Sequence, residues 1–375
     1  MYYINFITRM KNKKLIAATL IILLAAIVGY FILTAKSTNG ENKIVNIFNF
    51  SEEKIAAPED KNIISVSQEA SIIFVGDIIL SRSVAKKIKA KKDINYPFLK
   101  MKDYLNGVDL VFGNLENPIT DGPEVKTGSM VFHADPGIEQ ALKNANISIV
   151  SLANNHTPNY GKKGLLDTFD YLKKADIKYA GAGKNDIEAD KPTIFEIQGI
   201  KFAFLAYNDS DVIPASYGAG ANRAGTNLMS IKKLTEAVKK AKSQADLVII
   251  SMHSGKEYTE NINDSQKKFA RAAIDAGAEL VIGHHPHVVQ RVEKYKDKYI
   301  FYSLGNFIFD QMWSEDTKKG IAAKIFFNKT GVGKIEITPI KIEDYSQPKI
   351  LIGQEVPGLM NRLKLGKDEK IKIVN

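Results

Sequence analysis

Three of the six histidines in this chain fall in one run, Val281-Ile282-Gly283-His284-His285-Pro286-His287. Imidazole is the commonest metal ligand and the side chain that titrates nearest neutrality. His285 and His287 are two residues apart, a spacing that puts both rings on one side of an extended backbone. Two other histidines, His156 and His253, also close apolar runs. Oxygen donors occupy matching places. Asp77 follows Phe74-Val75-Gly76, and Glu116 ends Gly113-Asn114-Leu115-Glu116. Asn154 and Asn155 precede His156, Asn306 follows Leu304-Gly305, and Glu257 and Tyr258 lie shortly after His253. Carboxylates and imidazoles together suit Mn, Zn or Fe. Two such ions a few ångströms apart can clamp the attacking and leaving oxygens of a phosphoester displacement.

Each residue also has an ordinary structural reading. Asp77 can cap a helix that starts near Ser81, and Glu116 can be an exposed loop acid. Asn154 and Asn155 are natural turn formers. His253 alone reads as structural, Gly305-Asn306 as a backbone turn, and Glu257-Tyr258 as the start of a helix. Convergence is what favours a site: every one of these groups sits where an apolar run ends.

Those runs have strand length: Ser71–Val75, Val108–Phe112, Ile147–Leu152, Thr193–Ile197, Lys201–Ala206, Leu247–Ser251, Glu279–Ile282 and Tyr299–Ser303. Asp109, Asp246 and Glu279 stand at the amino ends of three of them. Helical patterns alternate with the runs at Ser81–Lys91, Gly137–Asn144, Lys162–Ala175, Ser230–Ser243 and Asp264–Ala276. In Lys162–Ala175 the apolar Leu165, Leu166, Phe169 and Leu172 recur at helical spacing. Asp264 or Ser265 is the expected cap of the last helix and Gly277 its stop. Strands alternating with helices predict an α/β fold, whose sites lie beyond the carboxyl ends of the strands. Gln198-Gly199 between two apolar runs predicts a hairpin. The Gly-rich Tyr217–Gly225 predicts a long loop near the site. From residue 320 the pattern changes to antiparallel strands, Ile321–Phe327 and Lys334–Ile342, turning at Lys329-Thr330-Gly331. Residues 345–375 are polar and read as a peripheral tail.

The chain is 375 residues long with a formal net charge of +10 and no cysteine. Thiolate ligands, thiol nucleophiles and disulfides are therefore excluded. No dense Lys/Arg cluster is present, so nucleic acid is not an expected partner. Leu15–Ala35 is an uncharged apolar run of 21 residues, long enough to span a bilayer as a helix. Lys11, Lys13 and Lys14 precede it, which predicts a cytoplasmic amino end and an uncleaved single-pass anchor. The expected organisation is a cytoplasmic end at 1–14, a transmembrane anchor at 15–35, an extracellular linker at 36–70, a folded domain at 71–344 and the tail at 345–375.

Taken in order, the runs Phe74–Asp77, Gly113–Thr120, Ser151–His156, His253–Tyr258, Gly283–His287 and Tyr302–Phe307 resemble the CapA/PgsA family of poly-γ-glutamate capsule biosynthesis proteins. That resemblance covers Ser71 to about Asp310. It implies a two-sheet α/β sandwich like that of the calcineurin-like metallophosphoesterases, placed at the cell membrane with its bulk outside. It also implies a divalent transition metal, one ion or two, held by Asp77, Glu116, Asn155, His253, His285 and His287. His156 would be the proton donor or substrate-orienting catalytic group. Asn154, Glu257, Tyr258, His284 and Asn306 would contact substrate, with His284 able to take the place of His285. The implied partners are an anionic polymer such as poly-γ-glutamate and other membrane subunits of a synthesis and export complex. The phosphoesterase pattern departs at Ile79, where a second ligand is usual, and the family pattern departs at Ser254. A hydrolase, a polymer-binding component and a non-catalytic scaffold are all compatible with these residues.

Overall fold

A computed structural model describes residues 69–123 and 130–374. The strands predicted from apolar runs all form. In chain order, with strands the apolar runs did not predict among them, the strands are β1 (Ala70–Ile78), β2 (Leu110–Leu115), β3 (Ile147–Ser151), β4 (Lys178–Ala180), β5 (Thr193–Ile197), β6 (Ile200–Asn208), β7 (Leu247–His253) and β8 (Leu280–His284). They continue as β9 (Val292–Tyr295), β10 (Lys298–Phe301), β11 (Asn306–Ile308), β12 (Lys319–Asn328), β13 (Gly331–Glu343), β14 (Gln347–Ile350) and β15 (Ile371–Ile373). The main helices are α1 (Arg82–Lys91), α2 (Glu139–Asn144), α3 (Gly161–Lys174), α4 (Ile231–Lys242), α5 (Asp264–Ala276) and α6 (Glu355–Arg362).

Two mixed sheets make the fold. One runs β14-β13-β12-β1-β2-β3-β4, with β11 added beside β1 and β15 beside β13; the other runs β9-β10-β8-β7-β6-β5. In the first, β1 to β4 are parallel, and β12 turns back antiparallel against β1. In the second, β6, β7, β8 and β10 are parallel, with antiparallel edges at β5 and β9.

Alternation along the strands explains how the layers stack. Ile72 and Phe74 of β1, with Phe112 of β2, face the other sheet, where Phe204, Ile249 and Ile282 meet them. The rings of Phe112 and Phe204 stack across the interface at 5.7 Å. The intervening Ile73 and Val75 face outward, against Leu142 of α2 and Leu165 of α3. On the far side, Leu205, Val248 and Ile250 pack under Leu234 of α4 and Phe269 of α5. The central strands are apolar on both faces because both are covered, as a parallel sheet requires.

The hairpin at Gln198-Gly199 forms between β5 and β6, with both turn residues at positive φ, 50° and 69°. Asn263 caps α5, in place of the expected Asp264 or Ser265. Its side chain accepts from the Gln266 N–H while the Gln266 side chain reaches back, a reciprocal pair. Gly277 ends that helix as expected, at φ 111°. The Gly-rich stretch expected as a loop folds against itself, with Arg223 Nε donating to the Gly218 carbonyl at 2.8 Å and Gly225–Thr226 pairing with Ala182–Gly183.

Residues 345–374 are not a peripheral tail. Strand β14 extends the first sheet, and Leu351, Val356, Leu359, Met360 and Leu363 join the core between the sheets. Their apolar positions are spaced among many charges, which hides them from a composition reading. The expected cytoplasmic end, the anchor at 15–35 and the linker up to residue 68 lie outside the described residues. No helix among the described residues is long and apolar enough to cross a membrane.

Candidate metal centre

The carboxyl ends of β1, β2, β3, β7 and β8 meet around one cluster of buried polar side chains. Two glycines let the backbones come close enough. A Cβ on Gly76 would lie 1.8 Å from the Gly305 carbonyl oxygen, and one on Gly283 would lie 2.0 Å from that of Tyr302. Only a residue without a side chain fits at either place. The next residues, Asp77 and His284, are thereby carried to the cavity fully buried.

Asp77 is the centre of the network. Its Oδ1 accepts from Asn114 Nδ2 at 2.8 Å and lies 3.3 Å from His284 Nδ1. Its Oδ2 lies 3.2 Å from His287 Nδ1 and accepts the backbone N–H of His285 at 3.3 Å. Burial pushes the carboxyl up, but the imidazoles of His284 and His287 outweigh it and hold Asp77 well below the usual carboxylate range. Glu116 shows the opposite balance. Burial comes first, the carboxylates of Asp77 and Glu257 add to it, and together they push Glu116 well above its ordinary value despite His287. Burial would lower His287, but Glu116 and Asp77 raise it to about 9. The acid-rich surroundings thus favour a proton on His287 when no cation is bound, and a cation at Nε2 would displace it.

His253 Nε2 meets Asn155 Oδ1 at 2.9 Å, and its Nδ1 lies 3.3 Å from Asn114 Nδ2. One donor atom each from Asp77, Glu116 and His253 lie within 4.8 Å of one another, and the same holds for Glu257, His285 and His287. His284 belongs to neither group. It lies against Phe112, ring centroids 6.3 Å apart, at the floor of the cavity. His156 stacks on Phe132 at 3.8 Å, its Nδ1 bonded to Asn159 Oδ1 at 2.8 Å and its Nε2 4.0 Å from Glu116 Oε1. Burial lowers His156 to about 4, so it is neutral at pH 7. That state suits orienting or accepting a proton better than donating one.

The other expected substrate contacts divide. Asn306 Oδ1 is 2.9 Å from His287 Nδ1, which leaves Nε2 of that ring for the cavity. Tyr258 stands at the mouth, about two-fifths exposed, edge-on to the exposed Trp313 at 4.7 Å. Asn154 is spent on the backbone: its Oδ1 accepts from the N–H groups of His156 and Thr157, and its Nδ2 donates to Asn114 and to the Leu115 carbonyl. It shapes the turn after β3.

Asn114 is the residue that the sequence reading passed over. Its amide links Asp77, Glu116 and Asn154, and it lies beside His253. The signal was present. Asn114 and Glu116 are two apart on one strand and so share a face.

The donor set fits a divalent cation. Glu116 Oε1, His284 Nε2 and His285 Nδ1 are buried without a hydrogen-bond partner. Buried polar atoms of folded proteins are nearly always satisfied. Orphans gathered around two carboxylates are what a cation would complete.

The fold and the cavity together define a two-sheet α/β sandwich with a mixed oxygen–nitrogen centre at its strand ends. Residues 71–311 match the family described as bacterial capsule synthesis protein PGA_cap, and this chain belongs to that family. It is 35% identical over 277 residues to the PGA biosynthesis protein CapA of Bacillus subtilis, across 73% of this chain and 72% of that one. It is 34% identical over 288 residues to the capsule biosynthesis protein CapA of Bacillus anthracis, across 75% and 69% respectively. Among solved structures, it is similar to a calcineurin-like phosphoesterase from Bacillus subtilis at 14% identity and a TM-score of 0.39, covering 75% of this chain and 88% of that one.

Proposed function

We infer that this chain serves poly-γ-glutamate capsule biosynthesis as a membrane-anchored component whose folded part lies outside the cell and handles the anionic polymer at a metal centre. The observation that carries the reading is the 35% identity to a PGA biosynthesis protein over 277 residues. The family match over residues 71–311 spans all the strand ends that carry the candidate ligands. The apolar run at 15–35 and its preceding lysines support anchoring with the amino end inside.

Asp77, Glu116 and His253 would hold a cation of the Mn, Zn or Fe type, with Asn155 and His285 beside them. Such a cation supplies Lewis acidity and attraction for carboxylates or phosphates. The chain's own residues do the rest. Asn114 fixes the two carboxylates relative to each other, and Asn306 turns His287 so that Nε2 faces inward. Neutral His156 stands ready to orient a bound oxygen. Tyr258 and Trp313 offer an aromatic edge at the mouth. Other membrane subunits are the partners this role requires.

The test is genetic replacement of the chain by Asp77→Ala in a strain that makes the polymer. Surface γ-linked glutamate should fall in amount or length. Polymer unchanged in amount, length and attachment would overturn the reading. A hydrolase reading is favoured by one feature, the neutral His156 beside Glu116 and the cation position. Mn²⁺-dependent cleavage of phosphomono- or diesters by the purified chain, lost in His156→Ala, would establish it.

A further inference from the structure

Shortly after Asp77, where β1 passes into α1, Arg82 takes a left-handed backbone conformation at φ 54°. That region is uncommon for residues with a side chain and favours Gly, Asn or Asp. A glycine would serve the turn with less strain, so an arginine held here points to a use for its side chain. The turn is pinned from three directions. The Leu80 N–H donates to Asn117 Oδ1 at 2.7 Å, the His133 N–H to Ser81 Oγ at 3.2 Å, and the Ser83 N–H to Asp310 Oδ2 at 3.1 Å. We propose that Arg82 is a substrate-binding residue, whose guanidinium takes a carboxylate of the anionic polymer at the rim of the ligand cluster. Arg82 has this role only if the protein handles that polymer, the function proposed above.

The guanidinium stands one ring away from the cluster. It lies over Phe132, 5.1 Å from the ring centroid. Phe132 is buried, stacks on His156 at 3.8 Å and meets Phe309 edge-on at 6.2 Å. Phe309 in turn lies 4.6 Å from His287. The next segment of the rim joins Arg82 to the aromatic pair at the mouth. Asp310 Oδ1 is 3.1 Å from Arg82 Nη2, Gln311 Nε2 donates to the Tyr258 hydroxyl at 3.1 Å, and Trp313 stands edge-on to Tyr258 at 4.7 Å.

The donors of Arg82 are available. Its contact with Asp310 lacks hydrogen-bond geometry, since Asp310 Oδ1 is buried without a hydrogen-bond partner. Among the described residues no hydrogen bond uses the guanidinium, and the side chain is 37% exposed. Asp310 thus steers the planar fork by charge and leaves its N–H groups open. Such a fork matches a carboxylate with two parallel hydrogen bonds. The acids of the cluster cannot do this, because like charges repel in a desolvated site. A γ-linked glutamate segment offers both features that the rim recognises. It carries a carboxylate on every residue, and its methylene groups can lie against Trp313 and Tyr258.

Trp313 is the only tryptophan of the chain and is 64% exposed, so its fluorescence reports on this rim. The test uses the full chain purified in detergent and titrated with a synthetic pentamer of γ-linked glutamate. The wild type should bind it with a saturable change in Trp313 emission. Arg82→Gln should weaken binding by about tenfold or more, the size expected when hydrogen bonds to a charged group are lost. Arg82→Lys keeps the charge beside Asp310 but not the fork, and should restore only part of the affinity. Circular dichroism and thermal melting check the fold of each variant. Wild-type affinity in a folded Arg82→Gln, or in Arg82→Lys where the glutamine variant does not fold, would overturn the proposal and leave the polymer-handling function intact. A wild type that does not bind the pentamer would overturn both. Trp313 emission that answers inorganic phosphate in place of the pentamer, and loses that response in Arg82→Gln, would assign Arg82 to phosphoesters and overturn the carboxylate assignment.

Discussion

The parallel strands carry acids at both ends, and the two ends treat them in opposite ways. At the amino ends, each acid is satisfied. Asp109 accepts from the Ser71 N–H and hydroxyl at 2.8 and 2.6 Å, and from Gln198 at 2.9 Å. Asp246 accepts the Lys201 N–H at 2.8 Å. Glu279 accepts the buried Val332 N–H at 2.9 Å and pairs with Lys298. At the carboxyl ends, Asp77 and Glu116 face histidines and each other, and several buried atoms around them have no partner. Residue type does not separate structural acids from functional ones; the buried imidazoles and partnerless atoms gathered around them do. Leaving a buried polar atom bare costs about 1–3 kcal/mol, and a fold accumulates such cost where a ligand removes it.

Four outcomes would break or sharpen that contrast. The largest effect is expected at the cavity. Asp77→Ala should weaken Mn²⁺ binding by about a hundredfold or more, since loss of even an outer-shell partner costs about 10–100-fold. Equilibrium dialysis measures it, and unaltered affinity would make the two ends equivalent.

Next comes the opposite end. Glu279→Ala strips the Val332 N–H of its acceptor and should cost about 1–3 kcal/mol of stability. Its urea midpoint should drop while Mn²⁺ affinity stays at the wild-type value.

The third outcome concerns pH in the chelated protein. Burial holds His156 at about 4 and His285 at about 3, so both are neutral in the fold. Unfolded, each takes a proton below about pH 6.5. The unfolded chain then binds more protons, and stability should fall as the pH drops from about 6.5 towards 4. His287, raised to about 9, acts in the other sense. Its contribution is complete below about pH 6.5 and is lost as the pH climbs through 9. Urea midpoints between pH 4 and 9 should peak near 6.5 from these groups, and a flat profile would contradict the burial of the histidines.

The smallest effect is a null at a matched site. Asp246→Asn keeps the size of an amino-end acid, and should leave Mn²⁺ affinity within about twofold. A larger change would mean that the strands transmit strain from one end to the other.

Much of this was legible in the residues. Apolar runs of strand length bounded by polar clusters place every central strand, because a strand covered on both faces must be apolar throughout. The Gln198-Gly199 hairpin and the Gly277 stop follow from backbone conformations that few residues adopt. The histidines and acids at strand ends announced a site, since parallel strands must deliver their exits to one edge of the sheet.

Other features depended on distances that sequence does not contain. The carboxyl-terminal segment looks polar because its core contacts, such as Leu359 and Leu363, are single residues among charges. Only the sheet edge they cover makes them core. Asn154 and Asn114 are the same residue type at neighbouring strand ends, yet one is consumed by its own turn and the other joins two acids. Glu257 lies far from His287 along the chain, and a hydrogen bond from Tyr258 to Pro286 brings it there. Local periodicity fixes which face a side chain takes. Which orphaned atoms that face then meets is decided by the packing of strands distant in sequence.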